Sequence, residues 1–199
     1  MKRGILIFSM AGALIGAFAL GRAFAQEGPG EKAAEDEMAA WMELGKPGTE
    51  HAELMKSVGT WTVASKAWMQ PGAEPTLTTG KAVFTALLGG RYLRQEFEGD
   101  FMGQPFHGIG CTAFNNATRK YEDVWIDGMS TGIMFTTGTE TEPGKAWSFS
   151  GSCAGPGGKE MKMRSVLRKL SDDEMSVESY CDQGSGETKC WEATYTRTK

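Results

Sequence analysis

The spacing of apolar and polar positions changes once along this chain, and the change divides it. Over residues 31–44 (EKAAEDEMAAWMEL) Met38, Trp41 and Met42 recur at helical intervals and form one apolar edge. Acidic residues crowd the first turns, where the helix dipole favours them, and Gly45-Lys46-Pro47-Gly48 ends the segment. Thr49 can cap a second short helix running to about Ser57, with Leu54, Met55 and Val58 as its buried side. From Trp61 onward the period is two. Ten strand-like segments follow, at 61–69, 76–87, 92–101, 106–115, 121–126, 132–140, 146–153, 160–170, 174–181 and 189–196.

Turn formers separate these segments, among them Pro71-Gly72, Gly89-Gly90, Asn115-Asn116, Asp127-Gly128, Pro143-Gly144 and Gly184-Ser185-Gly186. No helical crossover of the length a parallel sheet needs lies between them. Strict hairpin succession predicts an all-β fold, a ten-stranded antiparallel up-and-down barrel with a short helical N-terminal cap. Closure follows if the first strand pairs with the last. Trp61, in Gly59-Thr60-Trp61, and Arg197, in Tyr195-Thr196-Arg197, then meet at one end. A guanidinium over an indole face attracts it by about 1–2 kcal/mol where desolvated, so the pair reads as a structural plug.

The first 25 residues read as an export signal: basic Met1-Lys2-Arg3, an apolar run from Gly4 to Leu20, and the cleavage site Ala23-Phe24-Ala25. This divides the chain into a signal (1–25), an arm and helix (26–47) and a barrel domain (48–199), and places the protein in the periplasm or outside the cell. No other stretch reaches membrane-spanning length, so no span is expected in the mature form. The signal carries Lys2, Arg3 and Arg22 and no acid, so its removal takes the formal charge from −4 to −7. That charge disfavours nucleic acid as a partner. Four cysteines in an exported chain suggest two disulfides. Cys181 and Cys190 flank a turn-rich loop and would face each other across a hairpin, which leaves Cys111 with Cys153; four cysteines allow three pairings.

Several stretches, in order, resemble a family of bacterial exported proteins of unknown function built on a lipocalin-like barrel of the calycin superfamily. They are Pro47-Gly48-Thr49-Glu50-His51, Gly59-Thr60-Trp61, Leu88-Gly89-Gly90-Arg91-Tyr92-Leu93, Phe97-Glu98-Gly99, Met102-Gly103-Gln104-Pro105-Phe106, Trp125-Ile126-Asp127 and Tyr195-Thr196-Arg197. The resemblance covers about residues 37–199. It implies a β-barrel with a helical cap, and it implies no activity.

Inward polar groups are the candidates for function, because alternate strand residues share a face. With Trp61 and Arg197 inward, strand ten turns Trp191, Ala193 and Tyr195 inward and Cys190 outward. An outward Cys181, bonded to Cys190, then puts Glu178 and Tyr180 inside. Arg164 would lie across from Glu178, and Trp125 and Asp127 would join from strand five. Such a cluster is costly to bury dry and suits a wet cavity or a ligand head group. The alternative is that one bulge reverses the faces and these charges meet solvent.

Catalytic and metal chemistry find little support. His51 suits a capping or hydrogen-bonding role. A heme site would need an inward His, and His107 is the one His on a strand. Met161 and Met163 share a strand face, where soft-metal binding competes with simple core filling. In Gly151-Ser152-Cys153-Ala154-Gly155 the Ser is off-centre for a hydrolase elbow. The reading is a non-catalytic barrel holding a small apolar or amphipathic ligand, with no cofactor and no metal. A filled envelope interaction protein is the second reading, and an enzyme using the interior Arg, Glu and Tyr is the third.

Overall fold

The computed structural model describes residues 29–199. The export signal read over 1–25 lies outside them. Helix α1 (Pro29–Leu44) opens on a proline, whose missing N–H is no loss in a first helical turn. Its apolar edge, Met38, Trp41 and Met42, is exposed.

Residues 44–199 form one compact unit. It begins with α2 (Thr49–Met55), whose His51 is buried. His51 Nδ1 accepts a hydrogen bond from the Gly48 backbone N–H at 3.0 Å, and its ring meets Phe114 edge-on at 5.9 Å. The histidine therefore ties the helix start to the barrel below it, in the capping role its position suggests.

Ten strands follow: β1 (Gly59–Ala67), β2 (Thr76–Leu87), β3 (Tyr92–Phe101), β4 (Gln104–Asn115), β5 (Lys120–Asp127), β6 (Met134–Glu142), β7 (Ala146–Ala154), β8 (Glu160–Lys169), β9 (Glu174–Asp182) and β10 (Thr188–Arg197). Each pairs antiparallel with its sequence neighbours, and β1 pairs with β10 to close the barrel. The expected architecture is the observed one. Closure leaves no unpaired sheet edge for another chain to extend.

Val63 is fully buried and defines the inward face of β1. One end of the lumen is solid. There Trp61, Phe84, Tyr195 and Met175 pack with α2's Leu54 and Met55, and Phe114, Tyr121 and Trp147 form an adjoining aromatic cluster. Arg197 clasps this end. Its guanidinium carbon lies 4.2 Å from the Trp61 ring, and it donates to the carbonyls of Lys56 (2.7 Å), Val58 (2.8 Å) and Asp172 (3.1 Å). Farther round the same end, Arg91 Nε donates to the Gly45 carbonyl, and Asn116 Nδ2 donates to the carbonyls of Leu44 and Lys46. The segment leading into α2 is thus held by side chains from two separate hairpins.

Cys181 and Cys190 are bonded. The second expected bridge is corrected: Cys111 and Cys153 are free. Cys111 pairs in register with Arg94 and Val124 on the outer face, whereas Cys153 lies inward, its thiol 3.7 Å from Met163 Sδ. Strands β5 and β6 also lie between them, so at about 4.8 Å per strand they are roughly 14 Å apart, beyond disulfide reach. Alkylation in denaturant without reductant is therefore expected to modify Cys111 and Cys153 and leave Cys181 linked to Cys190. A chain in which neither thiol reacts would show that the second bridge forms after all.

Candidate functional site in the barrel interior

Beyond the solid end, Ser65, Ala67 and Ser179 are buried, while other inward side chains keep partial access to solvent. Phe97, Trp125, Asp127, Cys153, Met161 and Met163 are all half-buried. Two of the aromatic rings lie against the wall, where glycines leave room for them. A Cβ on Gly108 would fall 2.2 Å from Trp125 Cζ2, and one on Gly110 would fall 3.2 Å from Cε3. Phe97 covers Gly80 and Gly99 in the same way, with would-be Cβ contacts of 2.4 and 3.0 Å. Interior glycines beside a ring, on the adjacent strand or two residues along its own, thus leave the space that the ring occupies.

Asp127 fixes Trp125. Its Oδ2 accepts from the indole Nε1 at 2.9 Å, and its Oδ1 accepts from the Met129 backbone N–H at 2.9 Å. Both carboxylate oxygens are engaged, so Asp127 positions the ring and the following turn. Register places Trp125 opposite Gly110 on one side and Met134 on the other.

Asp123 lies two residues earlier on the same inward face, and the sequence reading missed it. It pairs in register with Thr112 on β4 and Thr136 on β6. Thr112 Oγ1 donates to Asp123 Oδ1 at 2.6 Å, the one hydrogen bond its carboxylate makes among the described residues. Burial pushes this carboxyl up to about 6, against the partial relief that Thr112 gives. Tyr195, also inward, is pushed up to about 12, by burial above all and with a smaller contribution from the Asp123 charge. Gln95 Nε2 approaches the Tyr195 hydroxyl at 3.4 Å. Between the solid end and Trp125 there is therefore a polar level containing one carboxylate.

Arg164, Glu178 and Tyr180 do not join it; their expected inward placement is corrected. They alternate with Met163, Val177 and Ser179, which are inward, and so face outside. The cause is a bulge in β10. Lys189 pairs with Tyr180 and Trp191 with Ser179, leaving Cys190 as the extra residue. Trp191, Ala193 and Tyr195 keep their expected inward faces, but Cys181 is inward as well, so counting from an outward Cys181 reverses β9. On the outer wall, Arg164 donates twice to Glu187 (2.9 and 2.7 Å) and lies 4.3 Å over the Tyr180 ring. Glu178 accepts from Lys189 and Arg168, and its carboxyl is held low, chiefly by the Lys189 hydrogen bond. These groups form a solvated ion network, in which single pairs contribute little to stability. His107 is exposed on the outer face beside Glu98, away from the lumen.

Fold and interior together define a lipocalin-like barrel, plugged at one end and lined toward the other by rings laid on glycine. The chain belongs to the family described as protein of unknown function (DUF1579), whose model matches residues 46–197. No curated protein matches it. Among solved structures it is similar to Rv2717c from M. tuberculosis at 18% identity, covering 77% of this chain and 100% of that one, with a TM-score of 0.59. A de novo designed fluorescence-activating β-barrel aligns at 12% identity over 73% of this chain and 96% of its own, with a TM-score of 0.43. The likeness to Rv2717c is one of fold.

Proposed function

We propose that this protein is an exported container whose lumen holds a small, partly apolar molecule. One observation carries the reading. Several inward side chains on the side away from α2, Phe97, Trp125, Cys153, Met161 and Met163, are aromatic, thioether and thiol groups that remain half-buried, with Trp125 and Phe97 lying against glycines of the wall. An apolar surface of this kind, with a few placed polar groups, is what small-molecule sites present. The export signal read over 1–25 and the Cys181–Cys190 bond are both in keeping with an oxidising compartment. Trp125 supplies the ring face and Asp127 its orientation. Arg164, Glu178 and Tyr180, being on the outer wall, act on the scaffold.

The neutral dye N-phenyl-1-naphthylamine tests this. Its fluorescence is expected to rise on binding with a Kd of about 10 µM, a modest affinity for a molecule of that size. Gly108→Ala, which forces the Trp125 ring off the wall and into the lumen, is expected to weaken binding by about tenfold. No rise in dye fluorescence with the folded wild-type protein would sink the container reading.

A further inference from the structure

We infer that the lumen selects molecules with a cationic, hydrogen-bond-donating head on an apolar body, and that Asp123 is the group that receives the head. The inference rests on the container reading above and names the chemistry of its ligand. Asp123 is inward by register with Thr112 and Thr136, lies deeper than Trp125, and uses one oxygen on Thr112. Among the described residues no Lys, Arg or His forms an ion pair with it. The inward groups beside it, Thr112, Thr136, Gln95 and the phenol of Tyr195, are neutral, and Asp127, four residues along the same face of β5, is a second carboxylate. Cys111, on the far side of the wall, also feels its charge, and its thiol is pushed up by burial first and by Asp123 second, so it too is neutral at pH 7.

An inward, half-buried carboxylate without a counter-charge is an unusual thing to keep in a barrel. Such groups are normally paired, hydrogen-bonded on both oxygens or coordinated to a metal. Asp127 in the same strand shows the satisfied case, with both of its oxygens engaged. Asp123 has a different arrangement: among the described residues only its Oδ1 is hydrogen-bonded, and the side chain shares the inward face of β5 with Trp125. An ammonium group entering past Trp125 would satisfy the other oxygen, and its apolar tail would lie against the Trp125 and Phe97 rings. An anionic head would meet an uncompensated charge of its own sign. The preference is therefore built from one attraction and one repulsion.

Displacement of bound N-phenyl-1-naphthylamine by decylamine, decanol and decanoate at pH 8 tests the assignment, because the three competitors share a chain and differ in head charge. Decylamine is expected to displace the dye at a concentration about tenfold below decanol, the size of a charge-assisted hydrogen bond, with decanoate weakest. In Asp123→Asn the advantage of decylamine over decanol should vanish. A second measurement needs no variant: the titration midpoint of the Asp123 side-chain carboxyl, followed by carbon NMR, should fall when decylamine is added and stay put with decanol. Equal displacement by decylamine and decanol in the wild type, or a preference that survives Asp123→Asn, overturns the inference and leaves the container standing. Failure of the dye to bind at all removes both.

Discussion

Trp61→Ala is expected to destabilise the barrel by about 3–5 kcal/mol, the range for removing a large aromatic from a packed core. Domains of this size are stable by about 5–15 kcal/mol, so one substitution would remove a large fraction. The ring is only 2% exposed and meets Phe84 edge-on at 6.4 Å. Its Nε1 donates to the Ser57 carbonyl at 2.9 Å, at the exit of α2. Its face carries Arg197, which holds the carbonyls of Lys56 and Val58 on the same exit. Losing the ring therefore creates a cavity, orphans a carbonyl and loosens the guanidinium. Urea unfolding should show a lower midpoint at an unchanged slope. Trp61→Phe, which keeps a ring and loses the Ser57 hydrogen bond, should fall well short of the alanine effect. A Trp61→Ala cost below about 1.5 kcal/mol, typical of a surface-like contact, would mean that the plug is not what holds this end together.

That end of the barrel was legible in the sequence because its signals are local. A period-two pattern, broken by glycine and proline turns, announces strands wherever it occurs, and ten of them in hairpin succession leave few ways to close. Trp61 and Arg197 lie in the first and last strands, so closure alone brings them together. The faces of β8 and β9 were not legible. Their parity was counted from Cys181 on the assumption that both disulfide partners point outward, and the single extra residue Cys190 breaks that count. A bulge is one residue of register, and nothing in the alternation of 189–196 announces it. The glycine floor under Trp125 did leave a trace, since Gly108 and Gly110 share one face of a strand. Only the pairing of Gly110 with Trp125 turns that trace into a ring seat. Asp123 left none. It sits beside Glu122 and reads as half of an exposed acidic pair until register with Thr112 turns it inward.

The same carboxylate yields the second large effect. Folded Asp123 titrates at about 6 against an ordinary value of 3.8. Between those two pH values the folded chain holds a proton that the unfolded chain has released. Stability attributable to this group therefore falls as pH rises from about 4 to about 6, the reverse of a salt-bridged carboxylate. At about 1.4 kcal/mol per unit the loss is on the order of 2–3 kcal/mol, and it is complete above pH 7. Asp123→Asn, which keeps the shape and an oxygen for Thr112, should thus be more stable than the wild type at pH 7.5 by up to that amount. At pH 4, where Asp123 is close to neutral in the folded chain, the two proteins should melt within about 0.5 kcal/mol of each other, the scatter of a substitution with no charge consequence. Thermal melts of both proteins across pH 4–8 read the difference directly. A variant that is less stable at pH 7.5 would show that the carboxylate is already satisfied in the folded protein, and the case for a cationic head group would fall with it. A variant that is more stable would mean that the barrel carries an unpaired inward charge at a stability cost, which is the usual mark of a group kept for binding.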